Sequence, residues 1–142
     1  MITAQSKEQK YQVLFTDGHH TGVSDVSEDK GGSNSGLRPH DLLEAALATC
    51  LNMWLRMYAN NHSIPVSNVE TTVSLDRSRP NQVIFIYSLD ISGTLSSSEK
   101  QKLISIAKTC TINNTLSNKI TIKSFLFIFV QEKVTSYNYF SI

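Results

Sequence analysis

Hydrophobic and polar residues change period several times along the chain, and each change marks an element. Tyr11-Gln12-Val13-Leu14-Phe15 reads as a strand. Asp17-Gly18 is a turn signal, and residues 21–26 return as the partner strand. Residues 28–36 are loop by composition and read as a linker within the domain rather than a lid. A helix begins near Pro39, because proline suits the first turn and Asp41 and Glu44 set negative charge near the positive helix end. From 42 to 59 most positions are apolar, and the exceptions Glu44, Asn52 and Arg56 fall on one face. So narrow a polar stripe predicts a long central helix buried on most sides, by its own chain or by a partner subunit.

Residues 60–65 end that helix. The β-branched and alternating runs 66–75 and 83–91 predict an antiparallel hairpin, with Arg79-Pro80-Asn81 as its turn. Ser96 followed by Glu99 is a capping box and opens a second helix, whose expected buried face is Leu103, Ile104, Ile106 and Ala107. Residues 111–118 read as a bend and a short helical turn, and 120–130 as the last strand. The tail, 131–142, carries Tyr137, Tyr139 and Phe140 without periodicity and is assigned no element. This order predicts an α+β fold, antiparallel sheets around a long central helix, in one domain spanning 1–142.

Composition narrows the function. A net charge of +1 with scattered basic residues gives no footprint for nucleic acid or an anionic membrane surface. Glu44, Asn52 and Arg56 argue against the long helix as a membrane span. Residues 1–8 have no apolar core of an export signal, which predicts a reducing, cytoplasmic setting for the two cysteines. There is no Gly-rich phosphate loop, no Gly-x-Ser-x-Gly elbow and no His-Glu-x-x-His, so no cofactor is expected.

The two cysteines, Cys50 and Cys110, each fall in an apolar helical pattern. Such a pair can be two inert core thiols, since cysteine packs as a small hydrophobe. It can be half of a zinc site, but neither cysteine has a Cys or His two to five residues away, so no metal is expected. It can also be a peroxide-attacking thiol and its resolving partner, which needs one lowered thiol pKa and a second thiol within reach. Cys50 lies mid-helix, too far from its own helix start to gain from the dipole, so this third reading calls for a cation from elsewhere.

Residues 37–50, Leu-Arg-Pro-His-Asp-Leu-Leu-Glu-Ala-Ala-Leu-Ala-Thr-Cys, resemble the start of the central helix of the OsmC/Ohr family. Met57-Tyr58-Ala59 followed by Ile64-Pro65-Val66-Ser67-Asn68-Val69 is similar to that helix's exit into the next strand, and residues 106–116 to the second cysteine motif. The resemblance covers residues 11–127. It implies an intertwined homodimer with active sites at the subunit interface, Cys50 as the peroxidatic and Cys110 as the resolving cysteine. Small organic hydroperoxides are then the substrates and a thiol or dithiol the reductant. An alternative within the family is a non-peroxidase that binds a small hydrophobic ligand at the dimer interface, its cysteines inert.

The sequence departs from the family's peroxidases at three places. Their Glu ten residues before the first cysteine is His40 here, beside Asp41. Their hairpin Arg is missing from residues 11–26, and their Pro after the second cysteine is Thr111. Arg38, Arg56 and Arg77 are the replacement cations. Arg56 is six positions after Cys50, about 240° around the helix, and does not face the same thiol. Arg38 is therefore assigned the thiolate-stabilising role. Leu47, Leu51, Met53 and Trp54 are expected to wall an apolar substrate pocket.

Overall fold

The computed structural model describes residues 1–125 and 139–141. Three strands come first: β1 (Thr3–Ser6), β2 (Val13–Thr16) and β3 (Thr21–Ser24), an antiparallel meander in that order. β1 is entirely exposed and carries Ala4 as its one apolar residue, which is why no apolar period announced it. The turn between β2 and β3 is held by Asp17, whose carboxylate accepts the N–H groups of His19 and His20 at 2.8 and 2.7 Å.

The loop after β3 is built around a buried carboxylate, not strung as a linker. Asp25 accepts the N–H and hydroxyl of Ser33 at 3.1 and 2.7 Å and those of Ser35 at 3.2 and 2.9 Å. It also accepts the N–H of Val26 at 2.8 Å. Five donors on one buried carboxylate compensate its desolvation. The loop closes so tightly that a Cβ on Gly32 would strike the Val26 carbonyl, and one on Gly36 the Val23 carbonyl. The Ser and Gly residues that resembled a spacer are thus the ligands and clearances of one clamp.

The loop delivers the chain to α1 (Pro39–Asn61). Leu47, Leu51, Leu55 and Ala59 repeat every four residues and are almost completely buried. They meet the hairpin β4 (Val66–Asp76) and β5 (Ile84–Gly93), and the helix α2 (Ser97–Ala107) with its buried Leu103 and Ala107. β4 and β5 pair antiparallel, with an irregularity between Val66 and Asn68. Ser96 caps α2 as its sequence foretold, accepting the Glu99 N–H at 3.3 Å while Glu99 accepts the Ser96 N–H at 2.8 Å.

Two expectations about burial are corrected. The polar stripe of α1 does not face solvent throughout: Glu44 accepts the Leu75 N–H at 2.7 Å and the Asn52 amide donates to the Val69 carbonyl at 2.6 Å. Thr71 completes the seam by donating to the Ala48 carbonyl at 2.9 Å. The stripe supplies partners to backbone groups that β5 leaves free, while the apolar Leu43, Met53 and Met57 stand exposed. Ile104 is likewise exposed, because the buried side of α2 is narrowed to Leu103 and Ala107.

A further short helix, α3 (Thr111–Ser117), follows α2 and packs on α1. The expected last strand is described only as β6 (Lys123–Phe125), paired antiparallel with β7 (Tyr139–Ser141). Ile120 and Ile122 precede it and are exposed. The rest of the expected strand, 126–130, lies outside the described residues, as do residues 131–138 and 142 of the tail. No helix among the described residues is long and apolar enough to cross a membrane.

The clamp makes an acid-dependent prediction. Its donors, the Ser33 hydroxyl foremost, outweigh burial and hold the Asp25 carboxyl well below the usual carboxylate range. A carboxyl depressed on folding adds stability above its unfolded pKa, near 4, and loses it as pH falls through the lower folded value. Asp25→Asn should therefore melt at lower temperature than wild type at neutral pH, and the gap should shrink on acidification below about pH 4. Thermal melts across that range check both halves.

Candidate functional site

The site forms where α3 crosses α1. Cys50 projects from the middle of α1 and is half-buried, while Cys110 is fully buried and belongs to the core. Cys110 is not the last residue of a helix, as its pattern had suggested. α2 ends at Ala107, and Cys110 is the N-cap of α3, its sulfur accepting the Asn113 N–H at 3.3 Å. The connection is fastened to α1 by Trp54, whose indole N–H donates to the Thr109 hydroxyl at 3.1 Å. Thr109 passes the bond on to the Ile106 carbonyl at 2.8 Å. Sixty residues of sequence are thereby bridged: the Cys50 sulfur lies 3.5 Å from the hydroxyl of Thr111, the residue after Cys110, and each thiol is part of the other's electrostatic surroundings.

The environment treats the two thiols oppositely. Burial pushes the Cys50 thiol up, but the Ile112 N–H, the Thr111 hydroxyl, the Cys110 thiol and the Thr111 N–H together outweigh it and bring it below the ordinary range. The Thr111 hydroxyl lies 3.5 Å from the Cys50 sulfur. Burial also pushes Cys110 up; the Asn113 N–H opposes this, but the neighbouring Cys50 sulfur adds to the rise. The expectation that Cys50 needs a cation, because its own helix offers no dipole, missed the donors of a second helix laid against it. Thr111 and Ile112 are the donors to Cys50 that local reading did not find. The one sequence signal was a residue with both an N–H and a hydroxyl directly after the second cysteine.

The structure brings Cys50 and Cys110 together and does not bring Arg38 to them within the chain. Arg38 precedes Cys50 by twelve residues, about 18 Å at the helical rise. Its guanidinium is engaged by Asp41 at 2.7 and 2.9 Å, and Asp41 also accepts the Arg38 N–H at 2.9 Å. Arg38, His40, Asp41 and Arg77 share a cleft of about 330 Å³ at the start of α1. Arg56 lines a separate polar cleft of about 290 Å³ with Asn52, Asn60 and Asn68. Neither cleft is lined by Cys50. Leu47 and Leu51 are committed to the core, which leaves Met53 and Trp54 of the expected pocket wall. Among the described residues, no group of three or more His, Cys, Asp or Glu side chains is placed to hold a metal ion.

The family model described as OsmC-like protein matches residues 32–125, a span that begins in the Asp25 clamp and contains both cysteines. The chain belongs to the OsmC-like family. An OsmC-like protein from Mycoplasma pneumoniae superposes with a TM-score of 0.70 at 20% identity, over 82% of this chain and 85% of that one. An organic hydroperoxide resistance protein OsmC from Legionella pneumophila has a TM-score of 0.58 at 25% identity, over 82% and 88%. A Vibrio cholerae structure described as an organic hydroperoxide resistance protein, with captopril bound in one of its active sites, has a TM-score of 0.59 at 16% identity, over 87% and 88%. No curated protein matches the chain significantly. The likenesses establish an OsmC-like α+β fold.

The unequal thiols can be told apart chemically, because alkylation follows the exposed thiolate. One equivalent of iodoacetamide near neutral pH should label Cys50 and leave Cys110 free, as peptide mass spectrometry would show. Equal labelling of the two would contradict the assigned environments.

Proposed function

We propose that this chain reduces organic hydroperoxides, with Cys50 attacking and Cys110 resolving. The observation that carries the reading is a half-buried thiol of lowered pKa, 3.5 Å from the hydroxyl of Thr111, with a fully buried thiol of raised pKa on the residue before it. The Cys50 thiolate attacks the terminal oxygen of the hydroperoxide and the O–O bond breaks. The departing alkoxide takes a proton and leaves as the alcohol, and Cys50 becomes a sulfenic acid. Cys110 then attacks the sulfenic sulfur, an S–S bond forms, and the hydroxyl leaves with a proton as water. An external dithiol returns two electrons and two protons to the disulfide. Two unpaired thiols fit a reducing, cytoplasmic compartment. The Legionella pneumophila relative, an organic hydroperoxide resistance protein, supports the substrate class.

The working unit in this reading is a homodimer. No residue of β1, β2 or β3 belongs to the hydrophobic core, and Met53 and Met57 are 55% and 57% exposed on α1. A sheet without a core of its own and a helix with a bare apolar face are both completed by a second copy. Arg38 enters the chemistry only from that second copy, given its distance from Cys50 in its own chain.

Two measurements test these points. Wild type with a dithiol reductant should consume tert-butyl hydroperoxide, Cys50→Ser should fall to the buffer rate, and Cys110→Ser should accumulate a sulfenic acid at Cys50. Wild type that consumes no peroxide and keeps two free thiols would leave ligand binding, with inert cysteines, as the better reading. Light scattering at micromolar concentration should give the mass of a dimer, which would bury more than about 2,000 Å² in total. A stable monomer would remove the assembly and Arg38 with it.

A further inference from the structure

The charged side chains of α1 and α3 leave Cys50 alone. α3, Thr-Ile-Asn-Asn-Thr-Leu-Ser, carries none. On α1 the nearest are Glu44 and Arg56, six residues to either side and well around the helix from the thiol. Glu44 is occupied with the Leu75 N–H, and Arg56 lines the cleft beside Val66–Val69. From α2 the nearest charge is the exposed Lys108 at its C-cap, and the titratable group in contact with Cys50 is Cys110. A thiolate formed here has polar, uncharged donors around it.

Among those donors Thr111 is distinctive. Its hydroxyl is 3.5 Å from the Cys50 sulfur, and no other side-chain partner competes for that hydroxyl among the described residues. A hydroxyl both donates and accepts, so it accommodates the thiol in either protonation state. A thiolate has no proton, so once Cys50 ionises the hydroxyl must be the donor, and the bond becomes charge-assisted. Thr111 is also the first residue of α3, and it is exposed and holds no part of the core.

We propose that Thr111 is a catalytic residue of this chain, its hydroxyl donating to the Cys50 sulfur and holding it as the attacking thiolate where α1 and α3 of its own chain supply no cation. The role rests on the peroxidase reading, but the hydroxyl's grip on the sulfur does not. When Cys50 attacks the hydroperoxide and becomes a sulfenic acid, the same hydroxyl loses its anionic partner as the sulfur becomes neutral. The donor therefore favours the reduced, ionised state and lets go of the oxidised one.

The test is the pH profile of Cys50 alkylation by iodoacetamide, followed on the Cys50 peptide, in wild type, Thr111→Ser, Thr111→Val and Thr111→Pro. Ser keeps the hydroxyl, Val removes it at nearly constant shape, and Pro removes the N–H as well while suiting the first helical position. Ser should follow wild type. Val should shift the midpoint up by about one pH unit, roughly a tenfold loss of thiolate at neutral pH, and Pro should shift it further. Reaction with tert-butyl hydroperoxide should slow in the same order, with melting temperatures of Ser and Val close to wild type. A Val profile that superimposes on wild type overturns the assignment. A Val shift in a protein that consumes no peroxide overturns the peroxidase reading and the catalytic role together, but leaves the hydroxyl–sulfur bond standing.

Discussion

Leu47, Leu51, Leu55 and Ala59 leave water together, and each buried leucine is worth about 1.5–3 kcal/mol. Three of them approach the whole stability of an ordinary domain. Turning α1 away from this stripe would forfeit that sum, so the rotation of the helix is fixed. Once it is fixed, Glu44 and Asn52 fall along β4, where they complete hydrogen bonds that β5 does not make. Cys50 falls beside the stripe rather than within it, half-exposed and facing the α2–α3 connection. Met53 and Met57 fall on the remaining side. The position of the thiol and the bareness of the opposite face have the same origin.

The site then depends on differences in solvation more than on charge. Cys110 lies in the core and is held protonated by burial, whereas Cys50 sits one layer out, within reach of hydroxyl and amide donors. Each sulfur's presence acts on the other in opposite directions, lowering Cys50 and raising Cys110. The proposed attack and resolving step call for two thiols that differ in ease of ionisation and lie near each other, and the opposite shifts of Cys50 and Cys110 support that reading.

Much of this was legible where the governing interaction is local. The long helix, the hairpin and the Ser96–Glu99 cap follow from spacing within a few residues, and they stand where the pattern put them. What escaped was set by distant partners. Ile104 fits an amphipathic period as well as Leu103 does, and only the packing of α2 on α1 tells them apart. Residues 28–36 have the composition of a spacer, and nothing local shows that Ser33 and Ser35 converge on Asp25. Cys110 continues an apolar run on paper, but the chain leaves α2 three residues earlier, and the cysteine begins a new helix instead of ending an old one. The donors to Cys50 come from sixty residues downstream. Looking for a cation was sound for a thiol on an isolated helix and incomplete for one with another helix laid across it.

Trp54 is the only tryptophan in the chain, and its indole N–H is bonded to Thr109, next to the segment that carries Cys110. An indole's emission responds to the polarity and hydrogen bonding around its nitrogen. The fluorophore is bonded to the side chain of the residue next to Cys110, the cysteine that forms the disulfide in the proposed cycle. Under the proposed cycle the molecule would carry a built-in optical gauge of its redox state, with no label added and no second tryptophan to dilute the signal.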